Sequence, residues 1–250
     1  MTNLFGYIID IGEQMLLSGA EVHRVEESIS RMGYALGAER VDVFIITSSM
    51  VVTFHTKNGE TYTQTRRITT SNTDYEKLHQ LNELSRNICD KRLSEIQITN
   101  QLELISNIKK APIWVEIICF SIIAGAFTLF FGGNIKESVI SLIIGAIVRI
   151  TIYFPEMIIS NKIFNKFLST VIITLLTFLL LKCKIIMSAD NIIIGNIMTL
   201  IPGIGLTNAL RDLFTGDSIA GLLRLIEAVL MALAISAGYF LVTLWGGFVI

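Results

Sequence analysis

Apolar side chains recur at Leu4, Ile8, Ile11, Met15, Val22, Val25, Ile29, Met32 and Leu36, in steps that keep them on one stripe of a helix. The pattern predicts a single long amphipathic helix over residues 4–36, with Ser18 the one polar residue on its apolar stripe. A second face carries Asp10, Gln14, Glu21, Arg24, Ser28 and Arg31. After Gly37 the period changes. The β-branched runs VDVFIIT, MVVTFHT and ETYTQTRRI, with Asn58 and Gly59 between the last two, predict a three-stranded antiparallel meander. Asp74 or Thr73 then suits the cap of a helix through Leu78, Leu81, Leu84 and Ile88, and a shorter helical stretch leads to Lys109 and Lys110. Helices covering one face of a small sheet make this part α+β.

Beyond residue 111 the pattern is nearly continuous apolar sequence, in five stretches: 112–131, 137–154, 164–181, 190–207 and 218–248. Crossing the hydrocarbon takes roughly 20 apolar residues in a helix, so each is an expected transmembrane helix. The expected architecture is an α+β cytosolic domain over residues 1–110, followed by an all-α membrane domain of five transmembrane helices over 111–250. Charge agrees with that division, since 26 charged residues lie in the first 110 positions and only 15 in the remaining 140. Lys109, Lys110, Arg149, Lys162, Lys166, Arg211 and Arg224 fall on one set of flanks and Lys136, Lys182 and Lys184 on the other. Basic residues accumulate on the cytoplasmic side, so the N-terminal domain is expected inside and the C-terminus outside.

Composition narrows the class. Hydrophobic residues are 52% of the chain and mean hydropathy is +0.63, above the apolar share of soluble domains, about 45–50%. A net charge of -1 offers no basic field for nucleic acid. Cys89, Cys119 and Cys183 have no metal-ligand spacing. The N-terminus lacks a basic leader region and has Asp10 and Glu13 within its apolar stretch, unlike a signal peptide. There is no phosphate loop, dinucleotide fingerprint or metal cluster, so no cofactor and no metal are expected.

The densest polar constellation is IPGIGLTNALRDLFTGDSIAGLLRLIEA, residues 201–228. Pro202 removes a backbone donor and Gly203 adds freedom, so the fourth stretch is expected to break or kink there. Broken helices at membrane depth recur at transporter substrate sites, while a break near the end of a span costs little. Arg211, Asp212, Asp217, Arg224 and Glu227 follow. Ionisable groups in spans normally face a bundle interior or an ion-pair partner. Arg224 and Glu227, three apart, can pair, or Arg224 can snorkel to the headgroups; Asp217 also suits an N-cap before SIAGLL. Arg149 and Glu116 approach the same layer, as an entrance or as interface anchors. In the N-terminal part, Ser18, Glu21 and Arg24 are near one another, and Glu21 and Arg24 can pair. Ser18 with His23, His55 or His79 would be the elements of a hydrolase, but no nucleophile signature accompanies them.

The segments LLSGAEVHRVEESISRMGYALG, TRRI at 65–68, NTDYEKLHQLNELSR at 72–86 and PGIGLTNALRDLFTGDSIAGLLRLIEA at 202–228 resemble the threonine/serine exporter family. The chain is similar to the larger subunit of that family's split form, whose bacterial relatives are associated with succinate export. The resemblance implies a secondary exporter of small polar metabolites, hydroxy amino acids or a dicarboxylate, and no enzyme. It implies motif residues Pro202, Gly203, Asn208, Arg211, Asp212, Gly216, Asp217, Gly221, Arg224 and Glu227, and in the N-terminal part Ser18, Gly19, Ala20, Glu21, Arg24, Glu26 and Arg66. It further implies a multi-pass protein of a bacterial cytoplasmic membrane. The second helical set of the family is absent, so a smaller multi-span partner is expected to supply it, with a larger oligomer open. Arg211, Arg224 or Arg149 would bind a carboxylate bidentately; Asp212, Asp217 or Glu227 would bind an ammonium group or a coupling proton. The alternatives are a membrane-tethered hydrolase and a metabolite-sensing regulatory subunit.

Overall fold

The computed structural model describes residues 2–69, 72–91, 93–109, 111–158 and 161–246, with the side chains of 2–3, 154–158 and 246 outside the description. Two helices, α1 (Thr2–Leu17) and α2 (Val22–Ala35), precede a sheet of β1 (Ala38–Ile46), β2 (Ser49–Thr56) and β3 (Thr61–Arg67). Then follow α3 (Tyr75–Lys91), α4 (Glu95–Ser106), α5 (Ile113–Phe130), α6 (Ile135–Ile158), α7 (Lys162–Lys182), α8 (Asp190–Met198), α9 (Gly203–Thr215) and α10 (Ser218–Gly246).

The predicted meander is present, antiparallel and in the order β1-β2-β3. Its register pairs Val43 with Val52 and Thr53 with Thr63, so Met50, Val52 and Phe54 point to one face and are fully buried. Against them pack Phe5, Ile8, Ile11 and Met15 of α1, Val25, Ile29 and Met32 of α2, and Leu81, Leu84 and Ile88 of α3. Each such side chain contributes about 1.5–3 kcal/mol by leaving water.

The single helix expected over 4–36 is two helices. The amides of Gly19 and Ala20 donate to the carbonyls of Leu16 and Met15, both at 3.0 Å, which is the Schellman closure of a helix end. Gly19 supplies the positive φ of 89° that this closure needs. Ser18, the polar residue on the apolar stripe, is where the chain turns.

The expected architecture of an α+β cytosolic domain followed by five transmembrane helices is also corrected. Among the described residues, three helices are long and apolar enough to cross a membrane: α5, α7 and Ser218–Trp245 of α10. A fourth span exists if α8 and α9, bent by 54° at their break, count as one. The expected stretch 137–154 lies in α6, whose described part contains Lys136, Glu137 and Arg149 and is not among the candidates. Nor does the chain separate into a sheet-bearing head and a purely apolar remainder. One compact unit comprises Met1–Lys109 with Gly205–Leu225, and the other Lys110–Ile204 with Ile226–Ile250. The segment 205–225 joins the sheet-bearing unit because it is amphipathic: Ala220 enters that unit's core at 2% exposure.

The second unit packs α5, α6 and α8 around Ile144, Val148, Ile152, Ile192 and Leu200. Buried within it, the hydroxyl of Thr128 donates to that of Ser141 at 2.6 Å, and the amide of Asn196 donates to Ser141 at 3.2 Å. Large apolar side chains such as Trp114, Phe130, Leu179 and Trp245 are more than half exposed. An apolar surface of that extent belongs in lipid.

Gly19→Ala places a β-carbon on a left-handed backbone and 3.3 Å from the Thr73 α-carbon. The expected cost is about 1–2 kcal/mol, read as lower thermal stability of the detergent-purified chain by circular dichroism. Unchanged stability would contradict the turn.

Candidate functional site

The first unit brings together two chain corners almost 200 residues apart in sequence. One is the α1–α2 turn, residues 18–21. The other is the α9–α10 corner, where the Asp217 amide donates to the Asp212 carbonyl at 2.9 Å and the chain reverses into α10. Helix α10 lies so close to α9 at this corner that a β-carbon on Gly221 would meet the Leu213 amide nitrogen at 2.8 Å and the Ala209 carbonyl oxygen at 2.9 Å.

Two polar contacts tie the corners, and a third holds α9 to α10 within the second corner. Arg211 donates through Nη1 to the Glu21 carboxylate. Arg224 donates through Nη2 to the Ala20 carbonyl at 2.9 Å. Its Nη1 lies 3.2 Å from Oδ2 of Asp212. Asp212 is fully buried, with 0% exposure. A carboxylate taken that far from water costs several kcal/mol unless a cation faces it, and the Arg224 fork is that cation. Arg211 is different: its side chain is 55% exposed, against 16% for Glu21. Solvent screens that pair to about 0–1 kcal/mol, so it can open without unfolding the corner.

Acidic groups exceed basic ones here. Oδ2 of Asp217 is buried and accepts no hydrogen bond, while fully buried Asp212 faces Arg224 and the Val22 backbone amide. Glu26, one turn into α2, has its carboxyl pushed up to about 7. Burial is the main cause, Asp217 adds to it and Asp212 adds less, while the Ile45 amide and His23 pull the other way.

Several expected pairings are replaced by longer-range ones. Glu21 pairs with Arg211 rather than Arg24, which is exposed. Arg224 pairs with Asp212 rather than Glu227, which lies exposed on α10 in the second unit. Asp217 stands at the residue before α10, and its carbonyl accepts the Gly221 amide. Ser18 is buried; its carbonyl accepts the Asp74 amide at 3.1 Å. Among the described residues no histidine hydrogen-bonds Ser18; His55 is engaged by Asp42 at 3.1 Å and Thr61 at 3.3 Å. Arg66 is held by Asp10 at 2.8 Å and Glu13 at 3.3 Å. Burial raises the Glu13 carboxyl above its ordinary value, Arg66 opposing it.

In the second unit, Pro202 stands at the α8–α9 break with Gly203 opening α9. Arg149 donates through Nε to Glu116 at 2.9 Å, the pair that their shared layer suggested. Asn208 is half-buried in the first unit, on α9. Sequence reasoning from the residues themselves passed over Glu26, which interrupts the stripe Val22, Ile29, Gly33 at helical spacing. That interruption is the signal that it is half-buried. Among the described residues no group of His, Cys, Asp and Glu is arranged to hold a metal ion.

Apolar helices of spanning length, with a dense ion-pair corner at the start of one of them, are the mark of a membrane protein. The chain belongs to the ThrE family, described as "Putative threonine/serine exporter", whose model matches residues 6–245; it is a membrane exporter. It is similar to the "Probable succinate transporter subunit YjjP" of Klebsiella aerogenes, 24% identical over 93% of this chain and 90% of that protein. The protein of the same name from Escherichia coli K12 is 26% identical over 95% of this chain and 93% of its own length. No solved structure matches.

Arg224→Gln leaves Asp212 buried without its cation and is expected to cost about 3–5 kcal/mol. Arg211→Gln is expected to cost no more than about 1 kcal/mol. Thermal unfolding of the two variants side by side checks this, and equal losses would contradict the assignment of Arg224 as the buried partner.

Proposed function

We propose that this protein is one subunit of a two-component secondary exporter of small carboxylates, of which succinate is the first candidate, in a bacterial cytoplasmic membrane. The observation that carries this reading is the convergence of two guanidiniums, Arg211 and Arg224, on adjacent residues of one turn, Glu21 and Ala20. A guanidinium fork matches a carboxylate bidentately. Arg211 and Glu21 form a pair that solvent screens, so an incoming carboxylate can take the place of Glu21 there, and the freed Glu21 carboxylate adds to the negative charge of the corner. Hydroxy amino acids offer one carboxylate and an ammonium group, for which Asp217 and Glu26 supply acceptors.

The names of the relatives support an assembly of subunits. A smaller multi-span membrane partner would complete the path, since the three or four candidate spans among the described residues form a small set of helices and transporters commonly pair two repeats about their site. Lys109 and Lys110 directly before α5 favour the first unit on the cytoplasmic face. Helix α10, which starts in that unit, would then end on the outer face. The corner acts in this reading as the cytoplasmic recognition point, with Asn208 on the same helix α9 and Pro202 and Gly203 at the break before that helix. Arg149, Glu227, Arg24 and Arg66 lie outside the corner, and Ser18 stands at its α1–α2 turn.

The test is efflux from proteoliposomes preloaded with succinate, threonine or serine, containing this chain alone, the partner alone or both. Succinate efflux is expected only from the pair. Arg211→Gln is expected to raise its KM about ten- to a hundredfold, the loss of one charge-assisted hydrogen bond of about 1.5–3 kcal/mol. Wild-type KM in that variant would overturn the carboxylate site, and faster flux of threonine or serine would reassign the substrate.

A further inference from the structure

We infer that Glu26 is a proton-binding group of the corner, taking up a proton from the adjoining water as an anionic substrate binds to the arginines. This rests on the carboxylate site proposed above. The geometry comes first. Four carboxyl groups, Glu21, Glu26, Asp212 and Asp217, share the corner with two guanidiniums, Arg211 and Arg224. Both guanidiniums are already committed, to Glu21, Asp212 and the Ala20 carbonyl. Asp217 keeps a buried oxygen with no hydrogen-bond donor. The groups facing Glu26 are Asp217 and Asp212 from the α9–α10 corner, His23 from its own helix and the Ile45 amide from β1. Its nearest charged neighbours from the other corner are therefore both acidic.

A proton is the one cation small enough to enter such a packed junction without new ligands. Among the described residues the carboxyls are not arranged around a metal position. Glu26 already titrates near 7, mainly through burial. A carboxylate substrate displacing Glu21 from Arg211 adds negative charge to the corner, which favours the protonated form of Glu26 further. Linkage then requires that a proton strengthen substrate binding by the same factor. Sequence reasoning placed a coupling proton at Asp212, Asp217 or Glu227; the structure leaves Glu227 exposed in the second unit.

Two measurements test the inference on the assembled pair. Calorimetric titration of succinate at pH 7.5, in two buffers of different ionisation enthalpy, is expected to show uptake of up to about three-quarters of a proton per succinate, since a carboxyl pushed up to about 7 is already about one-quarter protonated there. Glu26→Gln is expected to bind succinate with no uptake. Uptake unchanged in Glu26→Gln, or proton release in the wild type, would overturn the linkage. Without substrate, raising the folded-state value from 4.5 to about 7 means that Glu26 favours the folded state at low pH. That contribution is lost as pH rises from 4.5 through about 7. Wild-type thermal stability should therefore fall over that window and Glu26→Gln should flatten the fall. An equal fall in both would overturn the proton site itself, whereas a flattened fall with no succinate binding would overturn the carboxylate site and leave Glu26 as a proton site uncoupled from it, ending the linkage.

Discussion

Asp212 cannot be buried without Arg224. That single requirement organises the first unit, because the same guanidinium that neutralises the buried carboxylate also holds the Ala20 carbonyl. A neutral side chain at position 224 could make one of these contacts but not both, and a lysine, as a point charge, lacks the planar fork that serves two acceptors at once. The segment 205–225 is thereby fixed to the sheet-bearing unit although it is flanked on both sides by apolar helices. Gly221 permits it, since any side chain there would press α9 and α10 apart.

The corner has two layers of different strength. Arg224 and Asp212 form the buried, permanent one. Arg211 and Glu21 form the exposed one, screened by water and open to exchange with an anion of similar chemistry. The proposed recognition point draws on that combination, because it must release what it holds and a fully buried ion pair does not open readily. Glu26 adds a group whose charge changes near neutral pH, so the electrostatic state of the corner depends on what is bound there.

Much of the framework was legible in the sequence, for physical reasons. The meander was marked by β-branched runs and by Asn58 and Gly59, local signals that tertiary packing had no cause to override. The apolar stripe of α1 and α2 was read correctly as a buried face but wrongly as one helix. A stripe carries no information about a turn that preserves its phase, and only Ser18 and Gly19 betrayed the break. The spans were overcounted because apolar length alone does not distinguish α6, with Lys136, Glu137 and Arg149 in its described part, or a pair bent at Pro202, from a continuous crossing. The corner residues were identified as chemistry, but their partners were not. Helical spacing offers Glu21 to Arg24 and Arg224 to Glu227, whereas the folded chain joins residues 21 and 211 and residues 20 and 224. Such pairs leave no trace in one sequence.

The most direct test of the corner is proximity itself, with cysteines placed at 21 and 211 in a chain whose Cys89, Cys119 and Cys183 are replaced. A short bis-maleimide should join positions 21 and 211 within one chain, producing a shift on a denaturing gel after cleavage between them. Failure to cross-link, with both cysteines shown to be reactive singly, would mean that the two corners do not meet, and the account of the site would be wrong.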